Sequence, residues 1–402
     1  MIFGYSPEKI RKDFPALDKG MIYLDNACMS LKPLHVLDKM NEYYREYPSC
    51  GGRSSHAWAM KVEEQVAEAR VKVQKFLNAR SANEIIFTRN ATESINLVAR
   101  GLLLKEGDEV IISNKEHNSN LIPWLRLAKE KGIVLVVVPS NLDNTFSCEQ
   151  LKRLITKRTK LVSVVHVSNL DGVVNPVKEI TSIAHKAGVQ VLIDAAQSAP
   201  HMPLDVKKIG CDFLALSGHK MLGPTGTGVL YGTQDALARL TPLISGGGTV
   251  TSSTYTSFVE EKAPERFEAG LQDYAGIIGL GAACDYLKKI GRATIEKHEQ
   301  KLNRRVTEQL EKEPCIELIG PKDYRKRSGI ISFTIQGLDP LNVARLLSSQ
   351  NIAVRGGMHC VHSWFNEKRM KGSVRASFYL YNTEAEADIF VKAVKELAQL
   401  RA

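Results

Sequence analysis

The 402-residue sequence has no hydrophobic run long enough to span a bilayer. Its longest aliphatic run is Ile133–Val138, far short of the roughly 20 residues that a membrane helix needs. Residues 1–10 contain no basic stretch followed by an apolar core, which argues against a secretory signal. The seven cysteines are scattered and never in C-x-x-C spacing, which argues against a zinc site or a disulfide framework. We therefore predict a cytoplasmic protein in a reducing compartment, with no metal and no membrane contact.

Aromatic residues are also few, at 7%, and they do not alternate with basic residues as they do in many nucleic-acid interfaces. The net charge of +10 is therefore interpreted as a solvated basic surface, and we expect no nucleic-acid partner. Hydrophobic residues at 44% and charged residues at 24% are typical of a globular protein. The charge is uneven, because residues 291–402 contain 19 Lys and Arg against 13 Asp and Glu.

Short apolar segments alternate with helical patterns through the middle of the chain. Seven segments are predicted strands: Glu84–Phe87, Glu109–Ile112, Ile133–Val138, Leu161–His166, Val189–Asp194, Phe213–Leu216 and Gly228–Tyr231. Helices are predicted between several of them, at Thr92–Leu104, Ser119–Lys131, Cys148–Ile155 and Val177–Lys186. The pattern predicts an α/β fold with a mostly parallel seven-stranded sheet between helices, and strands Ile133–Val138 and Val189–Asp194 are apolar enough to be covered on both faces.

The pattern changes after residue 248. Residues 245–275 are rich in Gly, Ser and Thr and predict an extended loop. Predicted helices and strands follow at Gly276–Ile290, Thr294–Lys312, Gly329–Ile335 and Ile352–Val354, with a final helix from Glu384. We divide the chain into three parts. Residues 21–290 form a large domain, and residues 291–402 form a small α+β domain. Residues 1–20 form an N-terminal segment that packs on the small domain.

Two motifs place reactive side chains at the ends of predicted strands. Lys220, in Ser217-Gly-His-Lys220, is either a lysine that forms a Schiff base with a carbonyl cofactor or a surface lysine in a loop. Asp194, in Asp194-Ala-Ala-Gln197, either pairs with a pyridinium nitrogen or caps the next helix. Gln197 is placed to donate to a phenolic oxygen of the cofactor.

Two further motifs end at the same predicted edge, where ligands of such sheets bind. Asn90-Ala-Thr-Glu93 has capping-box spacing and predicts a helix N-terminus that either holds a phosphate or is an ordinary capped helix. His117 either stacks on a planar cofactor and moves protons or is an isolated histidine.

A fifth motif, 354–360, ends in Cys360 after Arg355 and two glycines. Cys360 is either a reactive thiolate beside Arg and His or a buried, inert cysteine. Arg375, fifteen residues on, is able to bind a carboxylate with two hydrogen bonds.

Together these groups provide an aldehyde partner, a pyridinium partner, a stacking ring and a phosphate cradle, as pyridoxal 5'-phosphate (PLP) requires. Their order resembles the class V aminotransferases of PLP fold type I, most closely the SUF-type (group II) cysteine desulfurases and selenocysteine lyases. The resemblance rests on residues 11–15, 23–26, 79–82, 90–96, 116–117, 123–124, 166–169, 194–197, 217–220, 223–226, 266–270, 375–377 and 381–383.

The resemblance implies a PLP-dependent enzyme that converts L-cysteine to L-alanine and holds the sulfur as a persulfide on Cys360. It makes Lys220 the Schiff-base lysine and His117 the acid–base residue. It assigns cofactor contacts to Ala91, Thr92, His117, Asn169, Asp194, Gln197, Ser217, His219 and Lys220, and substrate contacts to Asn169, Arg375, His56 and Arg355. It also implies a homodimer and a partner that is a sulfur acceptor or an iron–sulfur scaffold.

The sequence departs from this family in three places. Leu271-Gln-Asp-Tyr274 stands where a Thr usually reaches the phosphate of the neighbouring subunit, and Asn118 stands where a second His is common. Cys28 and Cys50 lie in segments that usually lack cysteine. One interpretation is that these two cysteines relay sulfur or help to hold a nascent cluster. The other is that they are unreactive packing residues.

Other functions and other surfaces stay open. The alternatives to a desulfurase are a selenocysteine lyase or another class V PLP enzyme, and an inactive basic scaffold or nucleic-acid-binding protein. The short Cys360–Arg375 spacing matches a restrained thiol loop, which needs a visiting acceptor. We predict that an acidic face of this acceptor docks near Lys368, Arg369 and Lys371, where the alternative is a solvated basic face.

Overall fold

The computed structural model describes residues 5–399. Its strands are β1 (Ile22–Tyr23), β2 (Ile85–Thr88), β3 (Glu109–Ser113), β4 (Val134–Val138), β5 (Thr159–Val165), β6 (Gln190–Asp194), β7 (Phe213–Ser217), β8 (Gly228–Gly232), β9 (Val250–Ser253), β10 (Phe258–Glu260), β11 (Ile316–Ile319), β12 (Ile330–Ile335), β13 (Ile352–Ala353), β14 (Arg355–Gly357) and β15 (Ser373–Ser377).

Helices occupy much of the chain between the strands. They are α1 (Pro7–Ile10), α2 (Leu34–Glu46), α3 (Ala57–Leu77), α4 (Ala91–Gly101), α5 (Ile122–Lys131), α6 (Cys148–Leu154), α7 (Val177–Lys186), α8 (Ser198–His201), α9 (Val206–Ile209), α10 (Gln234–Ala238), α11 (Tyr274–Ile290), α12 (Arg292–Leu310), α13 (Pro340–Ser349), α14 (His362–Glu367) and α15 (Glu384–Gln399). Short 3₁₀ turns at Asn118–Asn120 and Gly218–Lys220 follow β3 and β7 closely.

A seven-stranded sheet contains all seven predicted strands, each within two residues of its predicted ends. Its strand order is β2-β8-β7-β6-β5-β3-β4. Strand β8 runs antiparallel to both of its neighbours, and the remaining strands are parallel to one another. The prediction of a mostly parallel sheet is confirmed, and six strands therefore end at one edge.

Strand β4 corrects one expectation. It was predicted to be covered on both faces, but it lies at the edge of the sheet, and Val134 and Val137 are 41% and 46% exposed. An apolar run of β-branched residues favours a strand wherever it pairs, so composition did not distinguish an edge strand from a central one.

Helix α11 packs closely against α2 and α3 on one side of this sheet. Small residues make that approach possible: a Cβ at Gly279 would lie 2.8 Å from Met40 of α2, and one at Gly281 would lie 2.9 Å from Ala69 of α3. The extended loop predicted over 245–275 is partly wrong, because it contains the exposed hairpin of β9 and β10.

A second, antiparallel sheet of order β11-β12-β15-β14 forms near the C-terminus. It packs with α12, α13 and α15 around a separate apolar cluster that includes Phe333 and Phe390. The loop after β14 contains Cys360, and β15 contains Arg375. This sheet therefore brings two of the predicted site residues toward the larger sheet.

The N-terminal residues contact the C-terminal part of the chain. Tyr5 donates to the Leu380 carbonyl (2.6 Å), Arg11 pairs with Glu386 (2.7 Å), and β1 pairs with β13. The division of the chain into an N-terminal segment and two domains, with boundaries at 20 and 290, stays a prediction. Within residues 5–399, no helix combines the length and apolar character that crossing a membrane requires.

Candidate active site

A cavity of about 240 Å³ lies where β2, β5, β6 and β7 end. The turn after β3 and the segment 27–28 border it, and side chains of the smaller sheet close it. Its lining residues are Ala27, Cys28, Asn90, Ala91, Thr92, His117, Ser119, Val165, Asn169, Asp194, Ala196, Gln197, Ser217, His219, Lys220, Arg355, His359 and Arg375. Of the predicted cofactor and substrate residues, all except His56 line this cavity.

Asp194 and Lys220 are the two oppositely charged groups at its base. Asp194 ends β6, and its carboxylate accepts the Ala196 N–H (2.9 Å). Lys220 ends the 3₁₀ turn after β7, and its ammonium has no hydrogen-bond partner among residues 5–399. Burial raises the pKa of Asp194, and burial lowers the pKa of Lys220 against the attraction of Asp194. A positively charged group next to Asp194 would stabilise the negative charge of its carboxylate. Lys220, in its neutral amine form, is a nucleophile.

Helix α4 begins at this cavity because Asn90 caps it. The Asn90 Oδ1 accepts the Glu93 N–H (3.0 Å), whereas Glu93 accepts the Arg89 N–H instead of closing a capping box on Asn90. The helix backbone lies directly on β8, because a Cβ at Gly228 would come within 2.5 Å of Asn90 Cα. Only glycine at 228 allows this contact.

The first turn of α4 is held by hydroxyl groups from neighbouring loops. Ser217 Oγ accepts the Ala91 N–H (2.9 Å), and Thr92 Oγ1 hydrogen-bonds Ser119 Oγ (2.7 Å). Backbone N–H groups, hydroxyls and the positive end of the helix dipole together suit a phosphate group. The ring of His219 lines the same cavity, and burial lowers its pKa to about 4.

His117 stands at the turn after β3 and is neutral. Burial, reinforced by the charges of Lys220 and Arg375, lowers its pKa to about 3. Its Nδ1 accepts the Ser119 N–H (3.1 Å), so the ring hydrogen is assigned to Nε2. A neutral ring with one donor and one acceptor suits stacking on a cofactor and proton transfer.

Arg375 and Asn169 form the side of the cavity that faces the smaller sheet. Arg375 is 1% exposed; it donates to the Asn169 carbonyl (3.0 Å) and to Asp25 Oδ1 (3.1 Å). Asn169 Nδ2 donates to the His359 carbonyl (2.7 Å). Arg375 thereby connects the loop after β5 with the segment after β1.

Cys360 lies on a tight loop between β14 and α14. Both His359 and Cys360 have positive φ, at 50° and 59°, which is uncommon for residues other than glycine. The Cys360 carbonyl accepts the Asn118 N–H (2.7 Å), and this bond fastens the loop to the turn that contains His117. The thiol is therefore held at the cavity rather than on a free loop.

Arg355 contacts two sulfur atoms at the mouth of the cavity. Its Nη1 lies 3.4 Å from Cys28 Sγ, and its Nη2 lies 3.7 Å from Cys360 Sγ. The sequence predicts Arg355 as a substrate contact. In the structure it lines the cavity, and its hydrogen bonds go to thiols.

His56 is not brought to the cavity. It caps α3, its Nδ1 accepts the Ala59 N–H (3.4 Å), and its Nε2 faces Ser49 (3.3 Å). The side chain is exposed, so its predicted substrate contact has no support within this chain. Cys50 also lies elsewhere, beside Tyr274.

Three site residues were not singled out from the sequence. Asp25 accepts a hydrogen bond from Arg375. Ser119 hydrogen-bonds both His117 and Thr92. His359 hydrogen-bonds Ser373 (2.8 Å). Asp25 belongs to the quoted segment 23–26, and Ser119 stands two residues after His117. Their positions within these motifs were the available signal.

Four buried polar atoms on lining residues lack a hydrogen-bond partner: Gln197 Oε1, Asn169 Oδ1, Arg375 Nε and His359 Nδ1. Buried polar groups rarely stay unpaired, so these atoms mark positions for polar atoms of a ligand. With the Lys220 amine, the Asp194 carboxylate and the α4 N-terminus, they fit PLP and an amino-acid substrate.

A larger cavity, of about 660 Å³, lies at the opposite end of the sheet, near His185 and Asp212. Those two side chains pair with each other (2.9 Å) and leave no reactive group comparable to Lys220. Residues 5–399 contain no group of three or more His, Cys, Asp or Glu side chains that could hold a metal.

The chain belongs to the class-V aminotransferase family, because the family model described as Aminotransferase class-V matches residues 22–390. Relatives at about 40% identity are named cysteine desulfurases or probable cysteine desulfurases. A protein of Halalkalibacterium halodurans named a probable cysteine desulfurase is 42% identical, over 96% of this chain and 97% of its own length. A cysteine desulfurase of an Enterobacter species is 39% identical, over 99% of both chains.

Solved structures agree with these relatives. The apo cysteine desulfurase from Thermococcus onnurineus has a TM-score of 0.96 and 39% identity, covering 99% of this chain and 100% of its own. The cysteine desulfurase CsdA from Escherichia coli, solved in an S-sulfonic acid form, has a TM-score of 0.92 and 35% identity with the same coverage. The expected α/β fold and the expected family are confirmed.

Proposed function

We propose that this protein is a PLP-dependent cysteine desulfurase. The reaction is L-cysteine plus the Cys360 thiol giving L-alanine plus a Cys360 persulfide. The observation that carries the proposal is one cavity lined by a half-buried amine and a buried carboxylate, with a fastened thiol beside its lining residue Arg355. Lys220 interacts electrostatically with both Asp194 and Cys360 across it. The identity of about 40% to named cysteine desulfurases supports the same activity.

Bound PLP supplies an aldehyde for the substrate amine and a ring that withdraws electrons from the substrate Cα. The residues suited to hold it are Lys220 at the aldehyde, Asp194 at the ring nitrogen and Gln197 at the phenolic oxygen. The neutral ring of His117 is suited to stack on it. Ala91, Thr92, Ser217 and His219 surround the place for its phosphate.

Arg375 and Asn169 orient the substrate. The unpaired Arg375 Nε and Asn169 Oδ1 are a donor and an acceptor inside the cavity. A carboxylate that accepts from Arg375 gains a charge-assisted hydrogen bond, which is stronger than a neutral one. Lys220, whose pKa burial lowers, then takes the proton from the substrate Cα.

Cys360 receives the sulfur. A bond forms between Cys360 Sγ and the substrate sulfur as the substrate Cβ–Sγ bond breaks. The electron pair of the broken bond stays with Cβ, which takes a proton and becomes the methyl group of alanine. His117, which is neutral and has one ring N–H, is the residue suited to exchange protons at this step. The sulfur is oxidised to the sulfane level while the carbon is reduced, so no outside oxidant is needed.

The test measures alanine released from L-cysteine by the PLP-loaded enzyme and by Cys360→Ala. We expect the variant to bind PLP with an unchanged visible spectrum and to lose alanine release. Full activity in Cys360→Ala would contradict the persulfide mechanism. A preference for L-selenocysteine that survives in the variant would identify a selenocysteine lyase instead, and a wild-type protein unresponsive to PLP would identify an inactive scaffold.

We also propose a homodimer, because exposed apolar side chains cluster in sequence on α2 and α3. Tyr44, Trp58 and Met60 are all more than half exposed. Large exposed apolar residues on two helices that pack against the same helix, α11, are typical of an interaction surface. Light scattering after size exclusion should give twice the chain mass of 44.6 kDa, and a monomer at micromolar concentration would contradict this proposal.

The sulfur acceptor, in this proposal, docks beside Cys360 through an acidic face. Lys368, Arg369 and Lys371 follow α14 directly, are exposed, and have no ion pair in the described part of the chain. A second basic run, at residues 322–327, is less available: Arg327 is buried against Thr307, and Lys326 pairs with Asp143. The seven free cysteines agree with a reducing cytoplasm.

The docking test replaces Lys368, Arg369 and Lys371 together with Glu. Acceptor-stimulated turnover should fall while basal alanine release stays at the wild-type rate. In the wild type, stimulation should also weaken as the Debye length shrinks from about 30 Å to about 10 Å. Unchanged stimulation in the triple variant would refute this docking site.

A further inference from the structure

A second thiol, that of Cys28, lies near Cys360 at the active cavity. Cys28 lines the cavity, and one guanidinium group, that of Arg355, contacts its Sγ (3.4 Å) and the Cys360 Sγ (3.7 Å). The Lys220 charge also interacts with both sulfur atoms. A packing role alone does not explain why two thiols contact the same guanidinium group beside the Lys220 amine.

The backbone fixes Cys28 in this place from both sheets. The Cys28 N–H donates to the Asp25 carbonyl (3.0 Å). The preceding residue, Ala27, donates to Ser377 Oγ (2.8 Å), and its carbonyl accepts from Gln197 Nε2 (2.7 Å). Cys28 is therefore tied to the cofactor side and to the smaller sheet at once.

Positive charge surrounds the Cys28 sulfur from a second direction. Arg375 is 1% exposed, interacts electrostatically with Cys28, and has an unpaired Nε in the same cavity. A thiolate or persulfide anion on Cys28 would thus face two guanidinium groups. Both guanidinium groups would attract a negatively charged sulfur atom at this position.

The other cysteines do not share this environment. Burial raises the pKa of Cys148 to about 11 and that of Cys284 to about 12, and Cys211 is also buried. Cys50 lies beside Tyr274 and contacts the Gly51 carbonyl at 3.9 Å, and Cys315 packs against the apolar cluster of the smaller sheet. Of the seven cysteines, all within the described residues, Cys28 is the one that meets Cys360.

We propose that Cys28 is a second sulfur carrier, which takes the sulfane sulfur from the Cys360 persulfide. This inference rests on the proposed desulfurase function. The Cys28 thiolate attacks the outer sulfur; a Cys28–sulfur bond forms, the Cys360–sulfur bond breaks, and Cys360 leaves as a thiolate. The proton lost by Cys28 is balanced by one gained at Cys360, and no oxidant is consumed. Arg355 stays beside the negative charge as it moves from one sulfur to the other.

The consequence is a capacity for two sulfur atoms per subunit. Once Cys28 holds the first sulfur, Cys360 is free to accept another from a second substrate. A desulfurase with one carrier should release about one alanine per subunit in a fast burst, and any later alanine should appear slowly as the thiol of excess L-cysteine removes the bound sulfur.

The experiment counts alanine in a burst from the PLP-loaded enzyme and L-cysteine, without acceptor or reductant. After alkylation, the peptides containing Cys28 and Cys360 are mapped by mass spectrometry. The wild-type burst should be about twice that of Cys28→Ser, with persulfide on both peptides. Cys50→Ser is the matched control and should keep the wild-type burst. In Cys360→Ser the Cys28 peptide should carry no extra sulfur.

A wild type with alanine release and persulfide on Cys360 alone would overturn the carrier while leaving the desulfurase intact. A Cys28–Cys360 disulfide with released sulfide would overturn it too, because the inner sulfur would then be the one attacked. Persulfide on Cys28 in Cys360→Ser would do the same, by showing direct loading from substrate. No alanine from the wild type would overturn the function on which the carrier depends. The wild-type peptide map decides even if Cys28→Ser fails to fold.

Discussion

A single methyl group at residue 228 should weaken PLP binding without unfolding the sheet. Gly228 lies between β2 and β7, paired with Thr88 and Ser217, and the backbone of Asn90 rests against it. In Gly228→Ala the new Cβ would meet Asn90 Cα at 2.5 Å and the Asn90 N and C atoms at 2.7 Å. These neighbours are backbone atoms, so no side-chain rotation relieves the contact.

The size of the effect follows from that distance. Ordinary contacts begin at 3.4 Å, so the start of α4 must retreat by about 1 Å. A retreat of this size lengthens the hydrogen bonds from the first turn to a phosphate, and each charge-assisted bond contributes about 1.5–3 kcal/mol. We expect PLP to bind roughly 10- to 100-fold more weakly.

Absorbance titration of the apo protein with PLP measures this dissociation constant, and circular dichroism checks the fold. Gly247→Ala is the matched control, because its Cβ would meet only the Arg53 guanidinium, at an ordinary 3.7 Å. Its dissociation constant should stay at the wild-type value. A folded Gly228→Ala protein that binds PLP like the wild type would refute the assignment of the phosphate to the α4 N-terminus.

Three further outcomes are expected. Asp171 is 0% exposed and lies 2.8 Å from the Lys115 ammonium, so Lys115→Met leaves its buried charge without an ion-pair partner. The free energy of unfolding should fall by about 3–5 kcal/mol. Adding Asp171→Leu to this variant should restore most of the denaturant midpoint. Burial raises the pKa of Glu116 from 4.5 to about 7, so its contribution favours the folded state at low pH and is lost as the pH rises through 7. The denaturant midpoint should therefore decline between pH 5 and 8 more in the wild type than in Glu116→Gln, and equal slopes would contradict this. Arg375→Lys should raise the KM for L-cysteine roughly 10- to 100-fold with an unchanged PLP spectrum, and a change below about twofold in steady-state kinetics would count against Arg375 as the carboxylate site.

The large sheet was predictable because its strands are short, buried and strongly apolar. Local composition could not reveal the position of a strand within the sheet, so β4 was predicted as covered although it lies at an edge. The hairpin of β9 and β10 escaped prediction for the opposite reason. Its residues are mostly exposed on both faces, so no alternation of polar and apolar residues is present.

Helices α2 and α3 were not predicted either. Val36 is the one buried residue of α2, and the buried residues of α3 include small ones such as Ala59 and Ala69, so few large buried side chains mark either helix. Their place in the fold depends on contacts with α11, which lies some 200 residues further along the chain.

The candidate site was predictable where the chemistry sits at strand ends. The topology alone brings Lys220 and Asp194 to one edge once their strands are recognised. Arg355 lies beside two sulfur atoms because β14 pairs with β15 and β1 pairs with β13. No local sequence pattern specifies these pairings. His56 shows the reverse case, because a residue that the resemblance assigns to the substrate lies outside the cavity formed by this chain.

The two hydrogen bonds between the His117 turn and the Cys360 loop have a mechanical consequence. Asn118 donates its N–H to the Cys360 carbonyl, and its side-chain amide meets His362 Nδ1 at 2.8 Å, at the first residue of α14. We therefore expect a ligand that tilts His117 to move the thiol loop and the start of α14 as well. The hydrogen bonds of this one asparagine thus connect the turn of His117, which lines the buried cavity, with the thiol loop and the first residue of α14.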